Sequence, residues 1–336
     1  MERKDIRLGL PSKGSLEIGA LDFLDSCGLH VRKPNPRQYQ ATIPALPGLK
    51  VIFQRPADIV VGVHSGSIDF GITGLDILEE KRSTYGEVVL LHDELGFGGC
   101  TLELAVPESW ADVHSLGDLA ARVDALPGPL RVATKFPELT GNYLGANGLP
   151  NCELISAEGT LEVAPAVGYA DIISDLVSSG QTLRDNRLRT LSEGCILRSQ
   201  AVLIGNRARL RECPEVLAVA RELLEFAEAH LRAQRYYVVV ANMRDTSAQA
   251  VAERMFAETE LGGLQGPTVS RVVTREGQTD LCAVEVVVPK ERLGQAVNEL
   301  RAIGGSGVVV SPVSYIFEEE PERYAALLAA LDIREK

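Results

Sequence analysis

The stretch Glu158–Leu183 reads EGTLEVAPAVGYADIISDLVSSGQTL, and it holds the most informative pattern of the chain. It follows a strand-like run, ELISA, and ends in the turn Ser178-Ser179-Gly180-Gln181-Thr182. Small hydroxyl residues around a glycine let backbone N–H groups converge on an anion. The beginning of the stretch, Glu158-Gly159-Thr160, is a second glycine-bearing turn. The stretch is therefore predicted to join two turns that suit phosphate.

Carboxylates are spaced along the segment between these turns. Residues 170–177 are predicted to form a short amphipathic helix, which would place Asp171 and Asp175 on one side. Glu162 lies nearer the first turn. Carboxylates beside a phosphate cradle suit a phosphorylated sugar, because sugar hydroxyls need acceptors and phosphates often carry Mg²⁺. A plain helix with two capped ends and solvated acids explains the spacing equally well.

Several blocks of the chain, taken together, resemble the ATP phosphoribosyltransferase family, the first enzyme of histidine biosynthesis. That family carries a similar E-V-A-P-x-x-G-x-A-D-x-I-x-D-L-V-x-T-G-x-T-L run, in which Ser179 here replaces the usual threonine. The other matching blocks follow in family order, and they are LGLPSKGSL at Leu8–Leu16, DFGITGLDIL at Asp69–Leu78, GFGGCTLELAVP at Gly96–Pro107, VATKFPELT at Val132–Thr140 and ILRSQAVLIGNRA at Ile196–Ala208. One departure is Ser15, where many members have arginine.

The resemblance implies roles for particular residues. Binding of phosphoribosyl pyrophosphate (PRPP) is expected of Glu158, Gly159, Thr160, Ser178, Ser179, Gly180, Gln181 and Thr182, with the 5-phosphate at the second turn. Catalytic roles at the ribose or the metal-bearing face are expected of Asp171, Asp175 and Glu162. Binding of ATP or phosphate is expected of Lys13, Gly14, Ser15 and Gly74. For Gly74, which ends a predicted strand, plain turn chemistry stays an equal alternative.

Composition excludes several other functional classes. The chain has 336 residues, enough for two or three domains, and its net charge of −12 argues against a nucleic-acid groove. Six scattered cysteines without a CxxC pair and five dispersed histidines predict neither a disulfide frame nor a transition-metal site. No apolar run approaches the ~20 residues that a membrane span needs. A charged start without a signal peptide predicts a cytoplasmic protein.

The order of strand and helix patterns predicts an α/β protein with an additional C-terminal domain. Strands and helices alternate to about residue 210, the glycine-dense Gly96–Cys100 is predicted to be a crossover between lobes, and a βαββαβ order typical of ferredoxin-like folds begins at Tyr236. The resemblance implies a two-lobed catalytic core like that of periplasmic binding proteins. Its lobes would span 1–97 with 187–228, and 98–186.

The C-terminal domain, 229–336, would by the same resemblance be an ACT-like regulatory unit that binds histidine. Gly304, Gly305, Ser306 and Gly307 are candidates for that contact, and an ordinary helix C-cap is the alternative. The implied reaction joins ATP, through adenine N1, to PRPP with Mg²⁺. The resemblance also implies a homo-oligomer, a hexamer built from dimers, and inhibition of the enzyme by histidine. Two rivals stay open: a non-catalytic two-lobed binding protein, and a phosphoribosyltransferase that uses another base.

Overall fold

The computed structural model of the chain describes residues 5–35, 37–82, 84, 86–157, 159–245, 247–273, 275 and 280–333. These fall into two compact units. The first unit contains the residues up to Leu224 together with those from Glu322 onwards, and the second unit is Glu225–Pro321.

Strands and helices alternate through the first unit, as the sequence predicts. Before the crossover they are β1 (Ile6–Pro11), α1 (Gly14–Ser26), β2 (Gln40–Thr42), β3 (Leu49–Gln54), α2 (Pro56–His64), β4 (Phe70–Gly74), α3 (Leu75–Lys81) and β5 (Val88–His92). After the crossover they are β6 (Cys100–Pro107), α4 (Leu116–Asp124), β7 (Leu130–Thr134), α5 (Pro137–Ala146), β8 (Cys152–Ser156), a 3₁₀ helix (Leu161–Val163), α6 (Ala164–Val167), β9 (Ile172–Val177), α7 (Gln181–Asp185) and β10 (Leu188–Ser199). The chain then continues with β11 (Ala201–Asn206), α8 (Arg207–Glu212) and α9 (Pro214–Ala233).

The first unit has two sheets with the same strand arrangement, except that the first sheet has an additional edge strand, β2. Their strand orders are β2-β3-β1-β4-β11-β5 and β10-β6-β9-β7-β8. In each sheet three neighbouring strands run parallel, β3-β1-β4 in the first and β8-β7-β9 in the second. In the first sheet the antiparallel strand β11 then lies beside β4, and in the second sheet the antiparallel strand β6 lies beside β9. Ligands of such open sheets bind at the carboxyl ends of the parallel strands.

The chain passes between the two sheets twice. It leaves the first sheet after β5 and enters the second at β6, so the predicted crossover at Gly96–Cys100 is confirmed. It returns after Ser199, at the start of β11. The proposed division placed residues 187–228 with the first lobe, but β10 pairs with β6 and belongs to the second sheet.

The second unit is a four-stranded antiparallel sheet with two helices. Its elements are β12 (Tyr236–Arg244), α10 (Ala248–Glu258), β13 (Thr268–Arg271), β14 (Leu281–Pro289), a 3₁₀ helix (Lys290–Arg292), α11 (Leu293–Ala302) and β15 (Ser306–Pro312). The sheet order β13-β14-β12-β15 completes the βαββαβ pattern, and buried apolar side chains of both helices pack on the sheet. The predicted fold class, a two-lobed α/β core with a ferredoxin-like C-terminal unit, is therefore confirmed.

Two ends of the C-terminal region differ from the prediction. β15 stops at Pro312 rather than near Phe317, as expected for a residue without a backbone N–H for the ladder. The last helix, α12 (Glu322–Ala330), belongs to the first unit. There Arg323 forms an ion pair with Asp93 at 2.6 Å, and Arg207 donates to the carbonyl of Ala330 at 3.2 Å. The C-terminal unit thus ends at Pro321 instead of at the chain terminus.

Candidate active site

The turn after β9 lines a small cavity at the carboxyl end of that strand. Six of the residues that the sequence singles out line this cavity of about 150 Å³, and they are Glu162, Asp175, Ser178, Ser179, Gly180 and Thr182. Gly180 has a φ of 69°, a left-handed conformation that favours glycine. The Gln181 side chain instead points along α7, where its amide nitrogen donates to Asp185 at 2.6 Å. The second predicted turn therefore brings its hydroxyls and two carboxylates to one place.

Asp175 is a partly buried acid that lines this cavity. Burial raises the pKa of its carboxyl above the ordinary value of 3.8. The N–H of Leu176, 2.8 Å from Asp175 Oδ1, and the charge of Lys135 partly oppose this rise, whereas the charge of Glu162 adds to it. A carboxylate that is desolvated and has a cation nearby is suited to acting on developing positive charge.

Asp171 lies at the other end of the same strand. Residues 172–177 form β9 and not a helix, so the predicted shared helix face of Asp171 and Asp175 is wrong. Ile172 and Ile173 point to opposite faces of the sheet, and both are fully buried in different apolar clusters. A strand covered on both faces has consecutive apolar residues, and such a run resembles a helix segment in sequence.

An ion pair with Arg131 occupies the Asp171 carboxylate. Arg131 Nη2 lies 2.7 Å from Asp171 Oδ1, and the Arg131 backbone N–H donates to Oδ2 at 2.9 Å. Burial opposes ionisation of Asp171, but the hydrogen bonds and charge of Arg131 outweigh it and lower its pKa. The structure therefore does not bring Asp171 together with Asp175 and Glu162, and its contacts are those of a structural residue.

The first predicted turn contributes through Glu162. Glu158 lies outside the described residues, and Gly159 and Thr160, which are described, do not line the cavity. Thr160 has φ 38° and ψ 51°, a left-handed conformation that costs a β-branched residue roughly 1–2 kcal/mol. It directly precedes the 3₁₀ helix that carries Glu162. The conformation of Thr160 thus sets the direction of the 3₁₀ helix, in which Glu162 lines the cavity.

Lys135 and three buried hydroxyls complete this site, and sequence reasoning missed all four. Lys135 is exposed and follows β7, beside β9. Beneath it, Thr140 Oγ1 donates to Ser174 Oγ at 2.9 Å and lies 3.3 Å from Thr134 Oγ1. These hydroxyls are fully buried. The signal was present, because VATKFPELT holds Lys135 and both threonines.

The first lobe offers cations at the carboxyl ends of two neighbouring parallel strands. Lys13, Gly14 and Ser15 are exposed where β1 leads into α1, and Gly14 has a φ of 76°. Arg55, which sequence reasoning also missed, is exposed between β3 and α2. The N–H of Ser12 donates to the carbonyl of Gln54 at 2.9 Å, so the two loops are adjacent. Lys13 and Arg55 can therefore act on one anion.

Gly74 has a different environment. It is buried, and a Cβ there would collide with the carboxylate of Asp76. Asp76 is 4% exposed, and Ser199 Oγ donates to its Oδ1 at 2.5 Å. Burial raises the pKa of this carboxyl, although the Ser199 hydrogen bond opposes the rise. The alternative of plain turn chemistry thus accounts for Gly74, which makes room for a buried acid.

Comparison with known proteins agrees with this geometry. The family model of ATP phosphoribosyltransferase (HisG) matches residues 55–226, and that of the HisG C-terminal domain matches residues 233–315. ATP phosphoribosyltransferase 1, chloroplastic, of Arabidopsis thaliana is 46% identical over 99% of this chain and 82% of its own length.

The chain belongs to the ATP phosphoribosyltransferase family. It is thus a transferase of histidine biosynthesis. A bacterial member from Bradyrhizobium sp. (strain ORS 278) is 32% identical over 96% of this chain and 98% of its own. Among solved structures, the ATP phosphoribosyl transferase (HisG:HisZ) complex from Thermotoga maritima matches with a TM-score of 0.51 and 25% identity. That match covers 66% of this chain and 98% of the solved one.

Two carboxylates at the cavity are the side chains that could hold a metal ion. Within the described part of the chain, no three His, Cys, Asp or Glu side chains are grouped to hold a metal alone. Glu162 and Asp175 form a pair of carboxylates that line one cavity with the Ser178–Thr182 turn. Mg²⁺ in enzymes is commonly held by one or two carboxylates together with substrate phosphates, so this pair fits it.

The glycines proposed for regulation follow α11, and the last of them, Gly307, lies at the start of β15. The N–H of Gly305 donates to the carbonyl of Leu300 at 2.7 Å, and that of Gly304 donates to Arg301 at 3.1 Å. A Cβ at Gly305 would collide with the Leu300 carbonyl, and Gly304 and Gly307 have positive φ values. Ser306 donates to the carbonyl of Asn242 at 3.3 Å. The C-cap alternative accounts for the contacts of Gly304 and Gly305, whereas Ser306 pairs with Asn242 where β15 meets β12, and a histidine contact stays a prediction.

Asp171, just before β9, and Asp175, within it, predict opposite effects of pH on stability. The pKa of Asp175 is raised in the folded chain, so the folded chain is favoured while this carboxyl is protonated. That stabilisation of the fold is lost as pH rises through the folded pKa. Asp175→Asn should therefore become more stable relative to wild type as pH increases from acid to neutral. The pKa of Asp171 is lowered, so its stabilisation is lost as pH falls through that pKa. Asp171→Asn should be less stable than wild type at neutral pH, with a smaller difference in acid.

Thermal denaturation midpoints of wild type and both variants, measured across the acid-to-neutral range, check this contrast. A parallel pH dependence of the two variants would contradict the assignment of different environments.

Proposed function

We propose that the chain joins ATP to PRPP, with adenine N1 attacking the anomeric carbon of the ribose. The products are 1-(5-phosphoribosyl)-ATP and pyrophosphate, in the first step of L-histidine biosynthesis. The observation that carries the proposal is the one cavity where the Ser178–Thr182 turn meets Asp175 and Glu162. Membership of the ATP phosphoribosyltransferase family supports the choice of substrates.

The 5-phosphate of PRPP would lie in the turn after β9. The hydroxyls of Ser178, Ser179 and Thr182 line the cavity and can donate to phosphate oxygens. Gly180 lets the backbone approach the anion closely because it has no side chain. This turn carries no net charge of its own, so binding relies on oriented donors.

The reaction separates charge, and the surrounding residues match that separation. Positive charge builds on the ribose as the bond to pyrophosphate breaks, and the carboxylates of Asp175 and Glu162 would favour it. Negative charge builds on the leaving group, where Lys135 can supply a cation at the carboxyl end of β7. The attacking nitrogen already has a free lone pair, so no general base is required of the protein.

Mg²⁺, when bound with the substrate, would neutralise charge on the leaving pyrophosphate. Glu162 and Asp175 are the residues that would hold it, together with phosphate oxygens. In the first lobe, Lys13 and Arg55 would bind the phosphates of ATP or the pyrophosphate. Ser15, which replaces a common arginine, offers only a neutral hydroxyl there. Arg55 supplies an alternative cation on the adjacent loop.

The C-terminal unit would serve feedback inhibition by histidine, and the chain would act as a homo-oligomer. The match of residues 233–315 to the HisG C-terminal domain supports a shared role for this unit. The solved Thermotoga maritima relative is a complex of HisG with HisZ. A cytoplasmic location stays a prediction, since the Arabidopsis relatives are named as chloroplastic. No helix within the described ranges is long and apolar enough to cross a bilayer.

An assay with ATP, PRPP and Mg²⁺ tests the reaction directly, with phosphoribosyl-ATP followed as the product. Asp175→Asn should reduce turnover by roughly 10²-fold, about 3 kcal/mol of transition-state stabilisation. Parallel reactions with other nucleobases or nucleotides as acceptors test the rival phosphoribosyltransferase. Tight PRPP or solute binding without turnover for any acceptor would favour the rival binding protein.

Gly180→Val should weaken PRPP binding severely while the fold persists. Valine is strained at a φ of 69°, its Cβ would lie 3.2 Å from Arg184 Nη1, and its methyl groups would crowd the anion. Gly168→Val is a matched control, because Gly168 is also left-handed (φ 88°) but lines a different cavity, beside Arg131 and Asp171. Calorimetric titration with PRPP should show loss of affinity only for Gly180→Val. Equal affinities of both variants would remove this turn from the site.

Histidine should inhibit the full chain without competing with PRPP. Free histidine has no phosphate for the Ser178–Thr182 turn, so its site should be elsewhere. Coupling energies are typically 1–3 kcal/mol, which would change apparent PRPP affinity or turnover several-fold. Initial rates at varied PRPP and histidine give the inhibition pattern. Purely competitive inhibition that tracks the Gly180→Val defect, or no inhibition, would contradict the regulatory proposal.

A further inference from the structure

The first turn of α5 is capped by a side chain from the opposite lobe. Pro137 has no N–H, and the N–H of Thr140 donates to the carbonyl of Phe136 at 2.9 Å. The first turn of α5 therefore has two backbone N–H groups without a partner inside the helix, those of Glu138 and Leu139. The N–H of Glu138 donates to Glu80 Oε1 at 2.9 Å, and the N–H of Leu139 donates to Glu80 Oε2 at 3.0 Å.

The burial and the charge of Glu80 suit it to this contact. It lies on α3, which follows the strand β4 of the first sheet, and the residue is only 6% exposed. Each oxygen accepts one N–H, and its negative charge faces a helix N-terminus, where negative charge is stabilised. Glutamine could not replace it, because its NH₂ group would point at one of the two donors.

A second acid on α3 strengthens the link between lobes. Asp76 precedes Glu80 by one helical turn, so both side chains project from the same face. Asp76 accepts from Ser199, the last residue of β10 in the second sheet. The short helix α3 thus contacts the second lobe at two buried points, and Glu80 is the one that reaches α5.

From α5 the contacts lead to the candidate site. Thr140, in the first turn of that helix, donates to Ser174, the residue before Asp175. Its hydroxyl also lies beside that of Thr134, the residue before Lys135. Thr134 Oγ1 in turn accepts the N–H of Phe136 at 2.9 Å. The position of this one helical turn therefore sets both Lys135 and Asp175.

We propose that Glu80 is a positioning residue, which aligns Lys135 and Asp175 from the first lobe by holding the first turn of α5. The inference rests on the proposed function of that site. It makes the geometry of the PRPP cavity dependent on the placement of the two lobes. Glu80 itself touches no substrate, because its carboxylate is occupied by backbone donors.

Glu80→Gln in the full chain tests this, with Glu79→Gln as the matched control. Glu79 is the preceding residue on the same helix, and it pairs with the exposed Arg82 at 2.6 Å instead of with the second lobe. Misplacement of reacting groups by about 1 Å can cost 10²-fold in rate. We expect Glu80→Gln to lower kcat by roughly 10- to 100-fold and Glu79→Gln to leave it within about twofold. Equal kcat in wild type and a folded Glu80→Gln would overturn the proposal.

Thr140→Val and Thr140→Ser provide a second test should Glu80→Gln fold poorly. Valine removes the hydroxyl that links α5 to Ser174, whereas serine retains it. The proposal expects a loss of kcat in Thr140→Val that Thr140→Ser restores. It also expects the double variant Glu80→Gln/Thr140→Val to lose no more than the larger single loss, since both act through one turn. Additive losses, or a Thr140→Ser defect equal to that of Thr140→Val, would contradict it.

Amide hydrogen exchange separates this inference from the proposed function. In Glu80→Gln, exchange should accelerate in peptides covering 137–144 and also in those covering 174–180, even without substrate. Acceleration confined to 137–144 would overturn the positioning role. A wild-type enzyme that forms no phosphoribosyl-ATP but shows the linked exchange would instead defeat the proposed reaction and leave the structural coupling in place.

Discussion

The structure depends on the burial of β9 within the second sheet. This strand pairs in parallel with β7 and antiparallel with β6, and apolar residues cover both of its faces. A strand held from all sides cannot shift its register without exposing a whole row of side chains. Its carboxyl end is therefore a fixed point, from which Asp175 and the Ser178–Thr182 turn project. The other site residues are arranged around this point.

Side-chain chemistry made the grouping of the Ser178–Thr182 turn with Glu162 and Asp175 predictable, whereas the conformation of the segment between Asp171 and Asp175 was not. Glycine and hydroxyl residues point to an anion turn whatever element precedes them, and six predicted residues line one cavity. The spacing of Asp171 and Asp175 suggested a helix because a strand buried on both faces loses its alternating pattern. Only the pairing of β9 reveals that the two acids lie at opposite ends of one strand.

The contacts that sequence reasoning missed join distant parts of the chain. Glu80 and the amides it caps are 58 and 59 residues apart, and Thr140 and Ser174 are 34 apart. No periodicity or local motif encodes such pairs, because they depend on how the sheets are placed. The loops that carry Lys13 and Arg55 likewise lie side by side because β1 and β3 are parallel neighbours. The fold class could be read from local patterns, but the long-range contacts around the site could not.

Asp171 and Asp175 show that a carboxylate that stabilises the fold and one that is held in the candidate site have different surroundings. Asp171 gains from its ion pair with Arg131, so its charge supports the fold. Asp175 has no such partner within hydrogen-bonding distance among the described residues except the N–H of Leu176, and burial opposes its ionisation. In a chain of net charge −12, holding this carboxylate next to Glu162 requires compensation from elsewhere. The charge of Lys135 supplies part of that compensation, because it favours the ionised form of Asp175, and the role proposed for Glu80 would act through the placement of this lysine.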